Sequence, residues 1–180
     1  MLGDRNKVVV LDRDGTIIND RHYLADPDGV EFEAGAVEGL RAMAGLGYRL
    51  VVVTNQSGIA RGLLDVDRLE AIHERLRLML ADADVRLEGI YYCPHGPADD
   101  CDCRKPKSGL IRQAATDLNF DMGEAVVIGD KESDVEFGLR VGALTMLIDT
   151  GSGARPATRA AHIVKDLTAA AQILRDRERR

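Results

Sequence analysis

Short runs of β-branched and apolar residues recur along the chain, at Lys7–Leu11, Arg49–Val53, Gly89–Tyr92, Ala125–Ile128 and Leu144–Ile148, with a weaker one at Ile163–Val164. Runs of this length, bounded by polar residues, predict strands buried on both faces. Between most of them, apolar residues recur three and four apart. The clearest such stretch predicts a helix over Val66–Ala81, with Asp65 as N-cap and Leu69, Ile72, Leu76, Met79 and Leu80 along one face. Others are predicted over Val37–Leu46, closed by Gly47, over Ser108–Leu118, over Ser133–Val141, closed by Gly142, and over Leu167–Arg175. Strand and helix in alternation predict an α/β fold over residues 1–180, a single Rossmann-like domain whose parallel sheet carries helices on both faces.

Ligands of such sheets bind beyond the carboxyl ends of the strands. The first four apolar runs are followed by Asp12-Arg13-Asp14-Gly15-Thr16, Thr54-Asn55-Gln56-Ser57-Gly58, Cys93-Pro94-His95 and Gly129-Asp130-Lys131. Asp12 and Asp14, two apart, share a strand face unless Gly15 turns the chain. Carboxylates held that close need a cation between them or a shared proton. A side chain with an ordinary pKa of about 4 is ionised at neutral pH, so Asp12 needs no base to act as a nucleophile. Taken alone, Asp-x-Asp-Gly is equally an acidic surface turn. Gathered at one sheet edge, however, Asp12, Asp14 and Asp130 offer oxygens to Mg²⁺, while Thr54, Asn55, Ser57, Arg104 and Lys105 suit phosphate oxygens. That combination indicates phosphoryl transfer.

Three cysteines fall together, Cys93, Cys101 and Cys103, with His95 two beyond the first. Cys-x-His followed by Cys-x-Cys supplies the four ligands of a closed tetrahedral Zn²⁺ shell, which leaves no position for catalytic water. Free thiols and one disulfide are the alternatives, the disulfide disfavoured by a reducing compartment. A structural zinc would tie down loop 93–103 and, through it, Arg104 and Lys105.

Length and charge narrow the rest. The 180 residues, 45% hydrophobic, suit one domain. A net charge of −6, no Trp and 4% aromatic residues argue against a nucleic-acid groove or a base-stacking surface. The opening Met1–Lys7 carries no apolar stretch, and no segment approaches membrane-spanning length. The expectation is a cytoplasmic monomer with no membrane partner, and a basic end, Arg175–Arg180, that frays from the last helix.

Asp12-Arg13-Asp14-Gly15-Thr16, then Thr54, then Lys105 before a helix, then Gly129-Asp130 with Asp134 beyond, resemble the motifs of the haloacid dehalogenase (HAD) superfamily phosphatases, in order and across nearly the whole chain. Within it, Thr54 through Gly62, Tyr92-Cys93-Pro94-His95, Cys101-Asp102-Cys103-Arg104-Lys105-Pro106 and Gly129-Asp130-Lys131 are similar to the heptose bisphosphate phosphatases and, less closely, to the histidinol-phosphate phosphatases. The resemblance implies that Asp12 forms an aspartyl-phosphate and that Asp14 protonates the leaving oxygen, then activates water. It further implies that Asp12, Asp130 and the Arg13 carbonyl hold Mg²⁺, with Asp14 contributing through its backbone or from outside the ligand shell, and that Thr54 and Lys105 steady the phosphoryl group. Asp134 orients the metal site from the next helix. Lys131 has two readings of equal weight, a substrate contact or a balance for Asp130 and Asp134.

Only residues 19–32 lie unassigned before the first helix, too few for a cap domain, so the site is expected to be open. Asp20, Arg21, His22 and Tyr23 are expected to form its lip, although His22 reads equally as a surface histidine. Asn55, Gln56, Ser57 and Arg104 join the lip as substrate contacts, with Lys107 nearby. Arg21 and Arg104, away from the reacting phosphate, favour a small phosphorylated sugar with a second phosphate over cationic histidinol phosphate. Two further readings are a non-catalytic binding module, which predicts a broken site, and a nucleic-acid end phosphatase, which predicts a basic, aromatic-lined groove.

Overall fold

The computed structural model describes residues 7–149 and 157–179. The polar segment 1–6 and Arg180 lie outside the described residues. Six strands, β1 (Val8–Leu11), β2 (Arg49–Asn55), β3 (Leu87–Cys93), β4 (Val126–Gly129), β5 (Leu144–Ile148) and β6 (His162–Val164), form one all-parallel sheet in the order β3-β2-β1-β4-β5-β6. Five helices, α1 (Ala36–Gly45), α2 (Val66–Ala81), α3 (Gly109–Leu118), α4 (Glu132–Leu139) and α5 (Leu167–Glu178), cover both faces.

The alternation of each strand sorts the core. Val9, Leu11, Leu50, Val52, Val126 and Ile128 pack with α1, α2 and α5. Their neighbours Val8, Val10, Val51, Val53 and Val127 pack with α3 and α4. Because both faces are covered, β1 reads as an unbroken apolar run. The sequence steps outward from β1 to β2 and β3, then crosses to β4 and steps the other way. Right-handed crossovers therefore send α1 and α2 to one face and α3 and α4 to the other, and leave a crevice between β1 and β4.

Element boundaries depart from expectation where tertiary pairing decides them. β2 continues through Thr54 and Asn55, which pair with Tyr92 and Cys93 of β3. β3 begins two residues early because a bulge carries Glu88 past the register of Leu50 and Val51, which masks its alternation. α2 has the expected bounds, and Asp65 caps it by accepting from the Arg68 amide at 2.8 Å. Its buried face includes His73, whereas Met79 is only half-buried. α5 does not fray at Arg175: it runs to Glu178, whose carboxylate accepts from the Tyr48 hydroxyl at 3.1 Å and pairs with Lys7. Between β1 and α1 lies a short connection, closed by the Ile18–Phe32 bridge and one 3-10 turn at Pro27–Gly29, with no cap domain.

Candidate active site

Parallel register assembles the site. Leu11 lies beside Val52 on one side and Ile128 on the other, so the residues that follow emerge together at the crevice. Asp12 extends the pairing by donating its amide to the Ile128 carbonyl at 3.0 Å. The chain then turns back, with the Arg13 carbonyl accepting from the amides of Ile17 and Ile18 at 2.9 and 3.0 Å and Gly15 at φ +77°. A Cβ at Gly15 would stand 2.4 Å from Asp130 Oδ2, so both the turn and the close approach require glycine. The turn separates the two aspartates. Asp12 points down among buried charges, and Asp14 faces the cleft.

Lys105, nearly fully buried, is the hub of the lower cluster. Its Nζ donates to Asp12 Oδ1 at 2.8 Å and to the Val53 carbonyl at 2.7 Å, and lies 2.6 Å from Asp134 Oδ1. Burial favours the neutral amine, yet the charges of Asp12 and Asp134 outweigh it and raise the pKa above the ordinary lysine value. The other Asp134 oxygen accepts from the Lys131 amide at 3.1 Å and caps α4. Asp134 thus has both oxygens occupied and orients Lys105. Gly129 makes this approach feasible, since a Cβ there would meet the Asp134 carboxylate at 2.3 Å.

Asp130 is differently placed. Its Oδ1 is buried without a hydrogen-bond partner among the described residues. Burial first, and the Asp12 charge second, push its pKa up to about 7, against the opposing pull of Lys131. Carboxylate oxygens of Asp12, Asp130 and Asp134 lie within 4.8 Å of one another. With Asp134 engaged, Asp12 and Asp130 are the pair that could hold a small cation preferring oxygen ligands, such as Mg²⁺. The Asp14 carboxylate stands outside this group, bound to Arg13 and Gln56.

A cleft of about 490 Å³ opens above the cluster, lined among others by Asp14, Asp20, His22, Tyr23, Ser57, Arg104, Lys105 and Lys131. Arg21, expected at the lip, pairs with Glu31 and is not among the residues that line the cleft. Lys107 likewise pairs with Asp100, at 2.9 Å, on the exposed surface. Lys131 reaches Asp20 at 3.2 Å and Asp130 at 3.7 Å, linking the lip to the carboxylate cluster. Asn55 and Gln56 line the cleft but spend their amides on the protein. The Asn55 side chain accepts from the Lys105 amide at 3.0 Å and donates to the Lys105 carbonyl at 3.1 Å. Gln56 Nε2 lies 2.9 Å from both Asp14 Oδ2 and Thr54 Oγ1.

Cys93 ends β3, so the first member of the thiol cluster stands on the sheet rather than in the loop. Its Sγ lies 3.6 Å from His95 Nδ1, 3.7 Å from Cys101 Sγ and 3.0 Å from Cys103 Sγ, and His95 Nδ1 lies 3.2 Å from Cys103 Sγ. A tetrahedron with metal–sulfur bonds near 2.3 Å has edges of about 3.8 Å, so the four donors are close to the shape of a zinc shell. Burial, followed by the neighbouring Cys103, pushes the Cys93 thiol up to about 12, which a bound cation would reverse. The Arg104 guanidinium donates to the His95 carbonyl at 3.2 Å, tying this loop to the cleft.

Two buried polar side chains drew no reading from the sequence, Arg13 beneath the cleft and His73 on the buried face of α2. Arg13 carried no signal of burial, because it lies in the turn past the end of β1. His73 carried none beyond its place one residue after Ile72 on the inner helix face.

Residues 102–170 match the family described as HAD-hydrolase-like. The chain is 42% identical over 153 residues to the D-glycero-beta-D-manno-heptose-1,7-bisphosphate 7-phosphatase of Haemophilus influenzae, across 81% of this chain and 83% of that protein. It is 41% identical over 156 residues to the protein of the same name from Escherichia coli K12, across 82% of each. Among solved structures, the D,D-heptose 1,7-bisphosphate phosphatase of B. bronchiseptica, complexed with magnesium and phosphate, matches with a TM-score of 0.84 at 31% identity, over 95% of this chain and 99% of that one.

Proposed function

This chain belongs to the D-glycero-beta-D-manno-heptose-1,7-bisphosphate 7-phosphatase family of HAD-like hydrolases, and from that premise we propose that it removes the 7-phosphate of D-glycero-D-manno-heptose 1,7-bisphosphate. The observation that carries the reading is the position of Asp12 between a buried ammonium and a cation-seeking carboxylate. Lys105 holds one Asp12 oxygen, which orients the carboxylate as a nucleophile toward the cleft. Asp12 and Asp130 would hold Mg²⁺ together with the Asp14 carbonyl, because the Arg13 carbonyl is already taken by two amides. Bound there, the ion would screen the repulsion between the Asp12 anion and the phosphate.

Asp12 attacks phosphorus and forms an aspartyl-phosphate while Thr54 and Lys105 steady the phosphoryl oxygens. Asp14, on the cleft side, supplies the proton to the leaving sugar oxygen and then takes one from the attacking water. Arg104, next to Lys105, is the cation placed for the phosphate that is not cleaved. Asp20, His22, Tyr23 and Ser57 contact the sugar, with Lys131 between Asp20 and Asp130 as a further contact. Cys93, His95, Cys101 and Cys103 would hold Zn²⁺ in a closed structural shell that fixes the loop bearing Arg104 and Lys105. The protein works as a single-domain monomer in the cytoplasm, a compartment consistent with three thiols arranged as ligands rather than as a disulfide.

A phosphate-release assay with Mg²⁺ across heptose 1,7-bisphosphate, histidinol phosphate and simple sugar monophosphates tests the substrate. One phosphate should be released per heptose bisphosphate, with the highest kcat/KM of the set. A preference for histidinol phosphate would move the chain to the other phosphatase group.

A further inference from the structure

Asp14 owes its orientation to two buried side chains. Arg13 Nε and Nη2 donate to its two oxygens at 3.2 and 3.0 Å. From the other side Gln56 Nε2 donates to Oδ2 at 2.9 Å. Arg13 is 1% exposed and its Nη1 has no partner among the described residues. Burying a guanidinium is costly unless it is paired, and Asp14 is the carboxylate paired with this one. The pairing is also geometric, since two parallel N–H groups fix the plane of a carboxylate in a way that a lysine ammonium does not. A cleft-facing acid is therefore aimed from beneath by the residue next to it in sequence.

We propose that Arg13 is a positioning residue for the reaction: with Gln56 it holds the Asp14 carboxyl group where it reaches first the leaving oxygen and then the water. The inference rests on the reading of Asp14 as the proton carrier. In the first step the Asp12–phosphorus bond forms, the bond from phosphorus to the leaving oxygen breaks, and the Asp14 proton goes to that oxygen. In the second, water oxygen bonds phosphorus, the Asp12–phosphorus bond opens, and Asp14 takes the water proton. A sugar alkoxide needs the first proton, whereas p-nitrophenolate leaves without it. A residue that merely balanced charge would change stability and would affect both substrates alike.

Arg13→Lys keeps the charge and removes the fork. The variant should fold and bind with little change in KM, while kcat on the sugar phosphate falls about 10- to 100-fold. The loss should be smaller on p-nitrophenyl phosphate, with a burst of about one nitrophenolate per site as the water step lags. Wild-type kcat in Arg13→Lys, or equal losses on the two substrates, would overturn the proposal. If that variant does not fold, Gln56→Met, which removes the donor on the other side, must produce the same split, and an even loss there is equally fatal. Asp14→Asn separates the two readings. Should it retain turnover of the sugar phosphate, Asp14 is not the proton carrier; should it lose turnover while Arg13→Lys shows no split, only the positioning role falls.

Discussion

The carboxylate cluster and the thiol loop both concentrate donors that repel one another without a cation, and they are held in different ways. Asp12 and Asp130 follow neighbouring strands, β1 and β4, whose register is set by apolar burial on both faces. Lys105 and the cap of α4 then neutralise what the strands bring together. In the loop, Cys93 alone stands on the sheet, and the three other donors follow it within ten residues of irregular chain. The first cluster is preorganised by the fold, so a cation there would serve chemistry. The second has its geometry to gain from the cation, which would serve the fold.

If that contrast is right, damage to the two regions should look different. The largest effect is expected from Asp12→Asn, which removes the nucleophile and a metal ligand without changing shape. Turnover should fall by about 1000-fold or more while the far-ultraviolet circular dichroism and melting curve stay close to wild type. Cys101→Ser should do the reverse. About one zinc per chain, measured by metal analysis of protein prepared without chelator, should be lost in the variant. Melting should drop and KM rise because Arg104 and Lys105 loosen, yet Mg²⁺-dependent turnover should remain measurable. Zinc-free wild-type protein, or a zinc-free variant with full affinity, would remove the contrast.

Two further effects sharpen the account of the carboxylate region. Asp130 has its pKa raised from its ordinary value to about 7, so without a cation its ionisation opposes folding. The penalty is absent below the unfolded pKa near 4, grows between about 4 and 7, and is complete above 7. Mg²⁺ should therefore raise the melting temperature of wild-type protein more at pH 8 than at pH 5, and Asp130→Asn should abolish that difference. EDTA should silence the enzyme, with Mg²⁺ alone restoring it.

His73 works in the opposite direction. Burial first, and the charges of Arg13 and Arg77 second, lower its pKa to about 3, so it folds as the neutral imidazole. Its contribution is fully present above the unfolded pKa of about 6.5 and is lost as pH falls toward 3, at roughly 1.4 kcal/mol per pH unit. Denaturant unfolding at pH 4 and pH 7 should show a smaller difference for His73→Leu than for wild type.

The sequence by itself determined the elements and the chemistry at their ends. Apolar runs, caps and glycines specify strands and helices locally, and Asp12 and Asp130 announce themselves because they directly follow β1 and β4, at the edge where ligands of such sheets bind. The cluster of Cys93, His95, Cys101 and Cys103 was equally legible, since its members lie close in sequence. What the tertiary structure decided is which partner each polar group takes. Arg21, expected at the lip, pairs with Glu31, and Asn55 and Gln56, expected to meet substrate, line the cleft while their amides brace Lys105 and Asp14. Arg13 and His73, whose side chains drew no reading from the sequence, lie in the interior. Hydrophobic pattern encodes position along an element, which is a local property. Hydrogen bonds and ion pairs depend on distances of about 3 Å between residues far apart in sequence, and only the packed sheet and its crossovers set those.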